Sequence, residues 1–300
     1  MTEMKELTLD KVREQAVGKK LSEEELNLFS AGFEEERMIP TRHGETHIYY
    51  YVPKEKREKY PVLVNLHGGG FVKGHRDQDV VFCRNMAQNA GYVVVDVDYR
   101  TAPEYRYPYA LQECYDVTKY VAEHPQEFLA DPSAIVLIGH SAGANFVCGV
   151  QFMAQESGAF QPVQLILDYP PLSFVNRPED SRYAYAPYIR ISVEQSRKYR
   201  EWYIDKSQIR DITASPLLAT QEELESFPPV LMILAEEDSL SQEGVEFAAK
   251  LIDAGVTVYA KRVKGSSHGF TVRRTAGFET AEQMILETLE KRYQEMQVAD

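Results

Sequence analysis

The chain reads as an α/β protein, a mostly parallel sheet with helices packed on both faces, on three observations. Short apolar runs rich in Val and Ile alternate with segments of helical periodicity over most of its 300 residues. A glycine-flanked serine sits where one of those runs passes into a helical segment. Hydrophobic residues make up 44% of the chain and charged residues 26%, which suits one large core with at most a modest appended lobe.

The first forty residues carry two helical patterns, about Thr8 to Val17 and Ser22 to Ala31. The second is opened by Ser22 with Glu25 three residues on, the spacing of a capping box. Strand runs follow near Thr46 to Val52, Pro61 to Leu66, Tyr92 to Asp96, Ala134 to Ile138, Gln164 to Asp168, Val230 to Leu234 and Thr257 to Arg262. Helices are predicted between and after them at about Gln78 to Ala90, Pro108 to Glu123, Ser141 to Glu156, Gln242 to Ala254 and Ala276 to Glu295. A helix between successive strands allows the crossover that parallel pairing needs. From Pro170 to about Ser215 the alternation breaks. That stretch is rich in Tyr, Arg and Pro, with one helical pattern near Val193 to Ile204 and no strand run. An insertion of this length between core strands predicts a lid or cap.

Acidic residues outnumber basic ones 46 to 33, a formal charge of −13, which disfavours nucleic acid or an anionic membrane surface as partner. No run approaches the ~18 apolar residues a membrane span needs, and Met1 to Lys20 lacks the apolar segment of a signal peptide, so a cytoplasmic location is expected. Cys83, Cys114 and Cys148 are odd in number and lack CxxC spacing, so they are expected as buried, inert thiols.

The strongest chemical signal is Gly139-His140-Ser141-Ala142-Gly143, between the run Ile135 to Ile138 and a helical segment. A G-x-S-x-G turn in that context is a nucleophile elbow: the flanking glycines let strand and helix approach, and the hydroxyl is presented at the sheet edge. The helix amino terminus then aims the Ala142 N–H at the charge that forms on attack. His67-Gly68-Gly69-Gly70-Phe71 follows the run Val62 to Leu66 and supplies further donors for an oxyanion, Gly69 and Gly70. A phosphate-binding loop is disfavoured there, because no Gly-Lys-Ser/Thr follows and Lys73 occupies the last position of a G-x-G-x-x-G frame.

In this arrangement the nucleophile precedes the acid and the acid precedes the histidine. Six of the seven histidines lie before Ser141, leaving His268, in the loop Gly265 to Phe270 after the last strand run, as general base. Asp168 and Asp238 both sit at strand ends between them. Asp238 is favoured because its loop lies beside the strand nearest His268, while Asp168 runs directly into the insertion. No metal site is expected: HExxH is absent, and His43 with His47 lacks a third ligand.

The segments HGGGF (67 to 71), DYRTAPE (98 to 104), GHSAGAN (139 to 145), EEDSL (236 to 240) and SSHGF (266 to 270) together resemble the hormone-sensitive-lipase-like group of bacterial esterases, often called acetyl esterases or carboxylesterases. The likeness runs from about Tyr60 to the end. It implies an α/β-hydrolase fold, a small-molecule ester as substrate, no cofactor, and pairing as a homodimer. It also implies a cap built from residues 1 to 40 and about 171 to 215 over a core of 41 to 170 and 216 to 300. DYRTAPE resembles a structural turn of that family. Two positions depart from its pattern: His140 stands where Asp is common and Ala144 where many members have a further glycine. A histidine at the first position also occurs in related carbohydrate esterases and formamidases.

Ester hydrolysis through an acyl-enzyme is therefore expected, with amide or formamide hydrolysis, or a non-catalytic binding protein on the same fold, as alternatives. Phe71, His140, Tyr169, Tyr188, Trp202 and Phe270 are the candidate substrate contacts. Tyr183, Tyr185, Tyr188, Tyr199, Trp202 and Tyr203 form either packing for the cap or a wall that binds the alcohol half, such as an acetylated sugar. The neighbouring Arg177, Arg182, Arg190, Arg197 and Arg200 are expected to face water.

Overall fold

The computed structural model describes residues 7–17, 20–181, 184, 186 and 190–299. Its frame is one sheet of eight strands: β1 (Phe33–Thr41), β2 (Gly44–Val52), β3 (Tyr60–Leu66), β4 (Val93–Asp98), β5 (Ala130–His140), β6 (Gln164–Asp168), β7 (Val230–Glu237) and β8 (Val258–Ser267). Their order across the sheet is β1-β2-β4-β3-β5-β6-β7-β8. The pairs β1/β2 and β2/β4 are antiparallel, and every other pair is parallel.

Helices α1 (Leu9–Val17), α2 (Glu23–Leu26), α3 (Asp77–Ala90), α4 (Tyr109–Glu123), α5 (Ala142–Ser157), α6 (Val193–Tyr203), α7 (Gln221–Leu224), α8 (Ser241–Asp253), α9 (Phe270–Arg273) and α10 (Phe278–Ala299) complete it. Alternation along the strands divides the core into two layers. Val62, Val64, Ile135, Leu137 and Leu165 face the layer that holds Leu111 of α4, Phe146 of α5 and Phe247 of α8. Leu63, Val136, Ile138 and Ile166 face the other, with Phe82 and Met86 of α3 and Ile285 of α10. Burial on both faces is why these strands read as unbroken apolar runs. Cys83, Cys114 and Cys148 are buried and free.

Three sequence expectations need correction. The helix expected over Ser22 to Ala31 is only α2: Ser22 and Glu25 do form the capping box, with Glu25 N–H donating to Ser22 Oγ at 3.2 Å, but the helix ends at Leu26, with Asn27 as its carboxyl-terminal cap. Residues 33–40, expected within a helical amino-terminal segment of residues 1–40, instead belong to β1 at the sheet edge. Its Glu34-Glu35-Glu36-Arg37 run hides the strand, because an edge strand with little buried surface needs no apolar alternation. The short helices α7 and α9 were not foreseen; a single turn leaves no periodicity to find.

α1 is docked by Arg13, whose guanidinium donates to Val72 O and Ala102 O, each at 2.9 Å, and pairs with Glu104 at 2.6 Å. α6 is opened by a second capping box, Ser192 with Gln195, and buries Tyr199 and Tyr203, one turn apart. Arg182, Tyr183, Tyr185 and Tyr188 lie outside the described residues. Among those described, no helix is long and apolar enough to cross a membrane.

Candidate active site

Five strand ends converge at the carboxyl edge of the sheet, where ligands of open α/β sheets bind. β5 leads into Ser141, which has φ 53° and ψ −116°, a conformation an L-residue adopts only under strain. The turn is held by Ser141 N–H donating to Asp168 O at 2.8 Å, across to the end of β6. Gly143 shows why this turn excludes a side chain: a Cβ there would sit 1.8 Å from Leu66 O at the end of β3. The elbow and the loop after β3 are thus in backbone contact.

Ser141 Oγ lies 2.8 Å from His268 Nε2, and His268 Nδ1 lies 2.7 Å from Asp238 Oδ2. All three are buried, at 9%, 6% and 2% exposure. Asp238 follows β7 and His268 follows β8, and those strands pair in parallel, so the acid and the imidazole arrive side by side. Asp238 Oδ1 also accepts Leu240 N–H at 3.1 Å, which fixes the carboxylate.

The rival acid, Asp168, is engaged elsewhere. Its Oδ2 is 2.8 Å from His140 Nδ1, and its Oδ1 accepts Thr271 Oγ1–H at 3.2 Å. Burial pushes its carboxyl above the usual range against the opposing pull of His140.

Gly69 and Gly70 come to the same mouth as Ser141. Gly70 has φ +60°, and a Cβ there would meet the Tyr199 ring at 2.8 Å, so α6 packs directly on this loop. The N–H groups of Gly69 and Gly70 have no acceptor among the described residues. Ala142, at the first position of the 16-residue α5, has an N–H with no partner inside the helix.

Two cavities flank Ser141. The larger, about 600 Å³, is lined by His140, Tyr169, His268 and Gly269. The smaller, about 330 Å³, is lined by Phe71, Phe174, Leu240, Asn176, Arg200 and Glu243 and is not lined by His268. Phe71 is stacked on Tyr203, with ring centroids 3.9 Å apart. Tyr169 lies edge-on to His268, its centroid 4.9 Å away.

Of the candidate substrate contacts, Phe71, His140 and Tyr169 therefore reach the cavities, Tyr188 lies outside the described residues, and Trp202 and Phe270 line neither cavity. Phe270 is fully buried behind Tyr169, because the left-handed turn at Gly269 (φ +83°) carries the start of α9 into the core. Trp202 follows Tyr199 by three residues on α6, its ring 6.2 Å from that of Tyr199, and packs partly buried against the core, whereas Tyr199 lines both cavities. Lys73, Arg76 and Arg273, which sequence reasoning did not single out as site residues, also line the larger cavity. His43 stacks on Tyr109, and His47 lies between Glu36 and Asp98, so the two belong to the surface of the β2 region.

A family described by its alpha/beta hydrolase fold matches residues 63–272, and the chain belongs to it. It is 31% identical over 226 residues to Esterase LipI of Mycobacterium tuberculosis, covering 75% of this chain and 70% of that protein. It is 31% identical over 235 residues to an ethyl acetate hydrolase of Pseudomonas putida, covering 76% and 72%. A hyperthermophilic esterase from the archaeon Pyrobaculum calidifontis superposes with a TM-score of 0.87 at 31% identity, over 95% of this chain and 92% of that one.

Proposed function

We propose that this chain is a serine carboxylesterase that hydrolyses short-chain, acetyl-type esters through an acyl-enzyme on Ser141. The observation that carries it is the continuous line Ser141 Oγ, His268 Nε2, His268 Nδ1, Asp238 Oδ2, with contacts of 2.8 and 2.7 Å, on a strained serine. His268 takes the Ser141 proton as Oγ attacks the ester carbonyl, and Asp238 fixes the tautomer and stabilises the imidazolium. The N–H groups of Gly69, Gly70 and Ala142 receive the oxyanion. His268 then protonates the leaving alcohol, and water admitted to the same imidazole hydrolyses the acyl group.

Because the alcohol leaves towards His268, the larger cavity is the alcohol side and the smaller the acyl side. Beside Phe71, Phe174 and Leu240 the acyl side is lined by Asn176, Arg200 and Glu243, polar groups that a long alkyl chain would cover without hydrogen-bonding. The name of the Pseudomonas relative, an ethyl acetate hydrolase, points to the same acyl length. The test is turnover of p-nitrophenyl esters from acetate to octanoate by the wild type and by Ser141→Ala. We expect kcat/KM to be highest at the short end and to fall by at least about 10³-fold in the variant. A maximum at octanoate would overturn the acyl assignment, and a fully active variant the mechanism.

A further inference from the structure

Among the described residues, the alcohol-side cavity is lined by five cationic side chains, Lys73, Arg76, Arg190, Arg273 and Arg274, against one carboxylate, Glu25. Glu25 is occupied by Ser22, whose N–H and Oγ–H lie 2.8 and 3.0 Å from its Oε2. Arg76 is held by Asp79 at 3.6 Å and by Gly68 O at 2.9 Å, and Arg274 by Glu282. Lys73, Arg190 and Arg273 form no ion pair among the described residues. This is not a shortage of acids: the chain as a whole has a formal charge of −13. Elsewhere most of its partly buried arginines find carboxylates, as Arg13 does with Glu104 and Arg84 with Glu34, while Arg200 and Arg262 donate to the neutral Asn176 O and Ser241 Oγ.

Two of the unpaired cations are also partly withdrawn from water. Arg273 is packed over Gly269, next to His268, and its Nη1 is buried with no hydrogen-bond partner among the described residues. Lys73 Nζ lies 5.6 Å from the centroid of the ring of Tyr199, a residue that lines both cavities. Burial, reinforced by repulsion from Arg76, Arg273 and Arg190, brings Lys73 down to about 8. Burial, with repulsion chiefly from Arg190, brings Arg273 down to about 10. Concentrating like charge in a desolvated wall costs stability, and an anion in the cavity would offset it through charge-assisted hydrogen bonds.

We infer that the alcohol half of the natural ester carries an anionic oxygen group, a carboxylate or a phosphate, bound by Lys73 and Arg273 in the larger cavity, an inference that rests on the esterase reading above. The two side chains belong to separate stretches, the loop after Gly70 and the end of α9, and both line the cavity that His268 faces. They are specificity residues and take no part in the acyl transfer itself.

Three acetates test this at pH 7, where Lys73 is charged: 4-acetoxybenzoate, 4-acetoxyphenyl phosphate and the neutral 4-acetoxybenzamide. Each kcat/KM is divided by that ester's own hydroxide-catalysed rate. We expect the wild type to favour at least one anionic ester by about tenfold or more, with the preference shrinking as salt rises to about 0.5 M. Which anion wins tells a carboxylate from a phosphate. Lys73→Gln and Arg273→Gln should each shrink that ratio about fivefold or more, mainly through KM, whereas Lys73→Arg should retain it. Neutral and anionic esters cleaved equally well by the wild type, or a ratio unchanged in both glutamine variants, would overturn the inference and leave the esterase reading standing. Failure of the wild type to cleave any of the three would remove both.

Discussion

Beneath the loop that carries Gly69 and Gly70 lies a buried ion pair whose titration can be followed directly. His75 Nε2 is 2.6 Å from Asp96 Oδ2, with side chains 6% and 0% exposed, and Asn65 Nδ2 donates to Asp96 Oδ1 at 2.7 Å. Tyr49 stacks on the His75 ring, and His67 approaches it edge-on. Burial alone would lower the His75 pKa, but Asp96, aided by Asp79 and Asp98, outweighs it and raises it to about 9 from 6.5. A raised folded pKa means that the folded state binds the proton more tightly than the unfolded state. The stabilisation is therefore fully present below pH 6.5 and is lost as pH rises through about 9. That interval, at about 1.4 kcal/mol per unit, is worth on the order of 3 kcal/mol. Lys73, lowered to about 8, titrates in the same window with the opposite sign. The quantity to measure is therefore the difference between the wild type and His75→Gln, which cancels Lys73. Urea unfolding at pH 6 and pH 9.5 should show the wild type losing about 3 kcal/mol more than the variant between the two. Identical pH dependence in the two proteins, within about 0.5 kcal/mol, would refute the reasoning.

Three further outcomes are expected. Asp238→Asn should lower kcat on p-nitrophenyl acetate by about 10³ to 10⁴-fold with the melting temperature little changed, since its role is to set the His268 tautomer. Asp168→Ala should do the reverse, costing roughly 2 to 3 kcal/mol in urea unfolding while kcat/KM stays within about tenfold; the opposite ranking would exchange the two acids. Gly143→Ala would place a methyl carbon 1.8 Å from Leu66 O, so a loss of more than about 3 kcal/mol or of soluble protein is expected, and wild-type stability by thermal denaturation would refute the close-packed elbow.

Where the sequence was legible, a local pattern coincided with a structural demand. Val62 to Leu66 and Ile135 to Ile138 read as strands because they are buried on both sides of the sheet. Ser141 was legible because Gly143 tolerates no Cβ, which leaves a mark at fixed spacing. His268 stood out by chain order alone, and Asp238 followed from the expected neighbourhood of its strand, which β7/β8 pairing provides. β1 was hidden because its edge position permits Glu34 and Glu36 to face solvent. Trp202 and Phe270 were misplaced because residue type in a segment does not tell whether a ring on α6, or one beyond the Gly269 turn, meets a cavity or the core. The cationic wall was illegible for a similar reason: Lys73, Arg190 and Arg273 are far apart in the chain, and only the fold brings them to one cavity. Arg190, expected to face water, is exposed and lines that cavity too.

The most direct test of the nucleophile is covalent. Treatment with diethyl p-nitrophenyl phosphate should leave one diethylphosphoryl group per chain, mapped by peptide mass spectrometry to Ser141, with esterase activity falling in proportion to labelling. Complete inactivation with the label on any other residue, or undiminished ester hydrolysis by a stoichiometrically labelled Ser141, would contradict it.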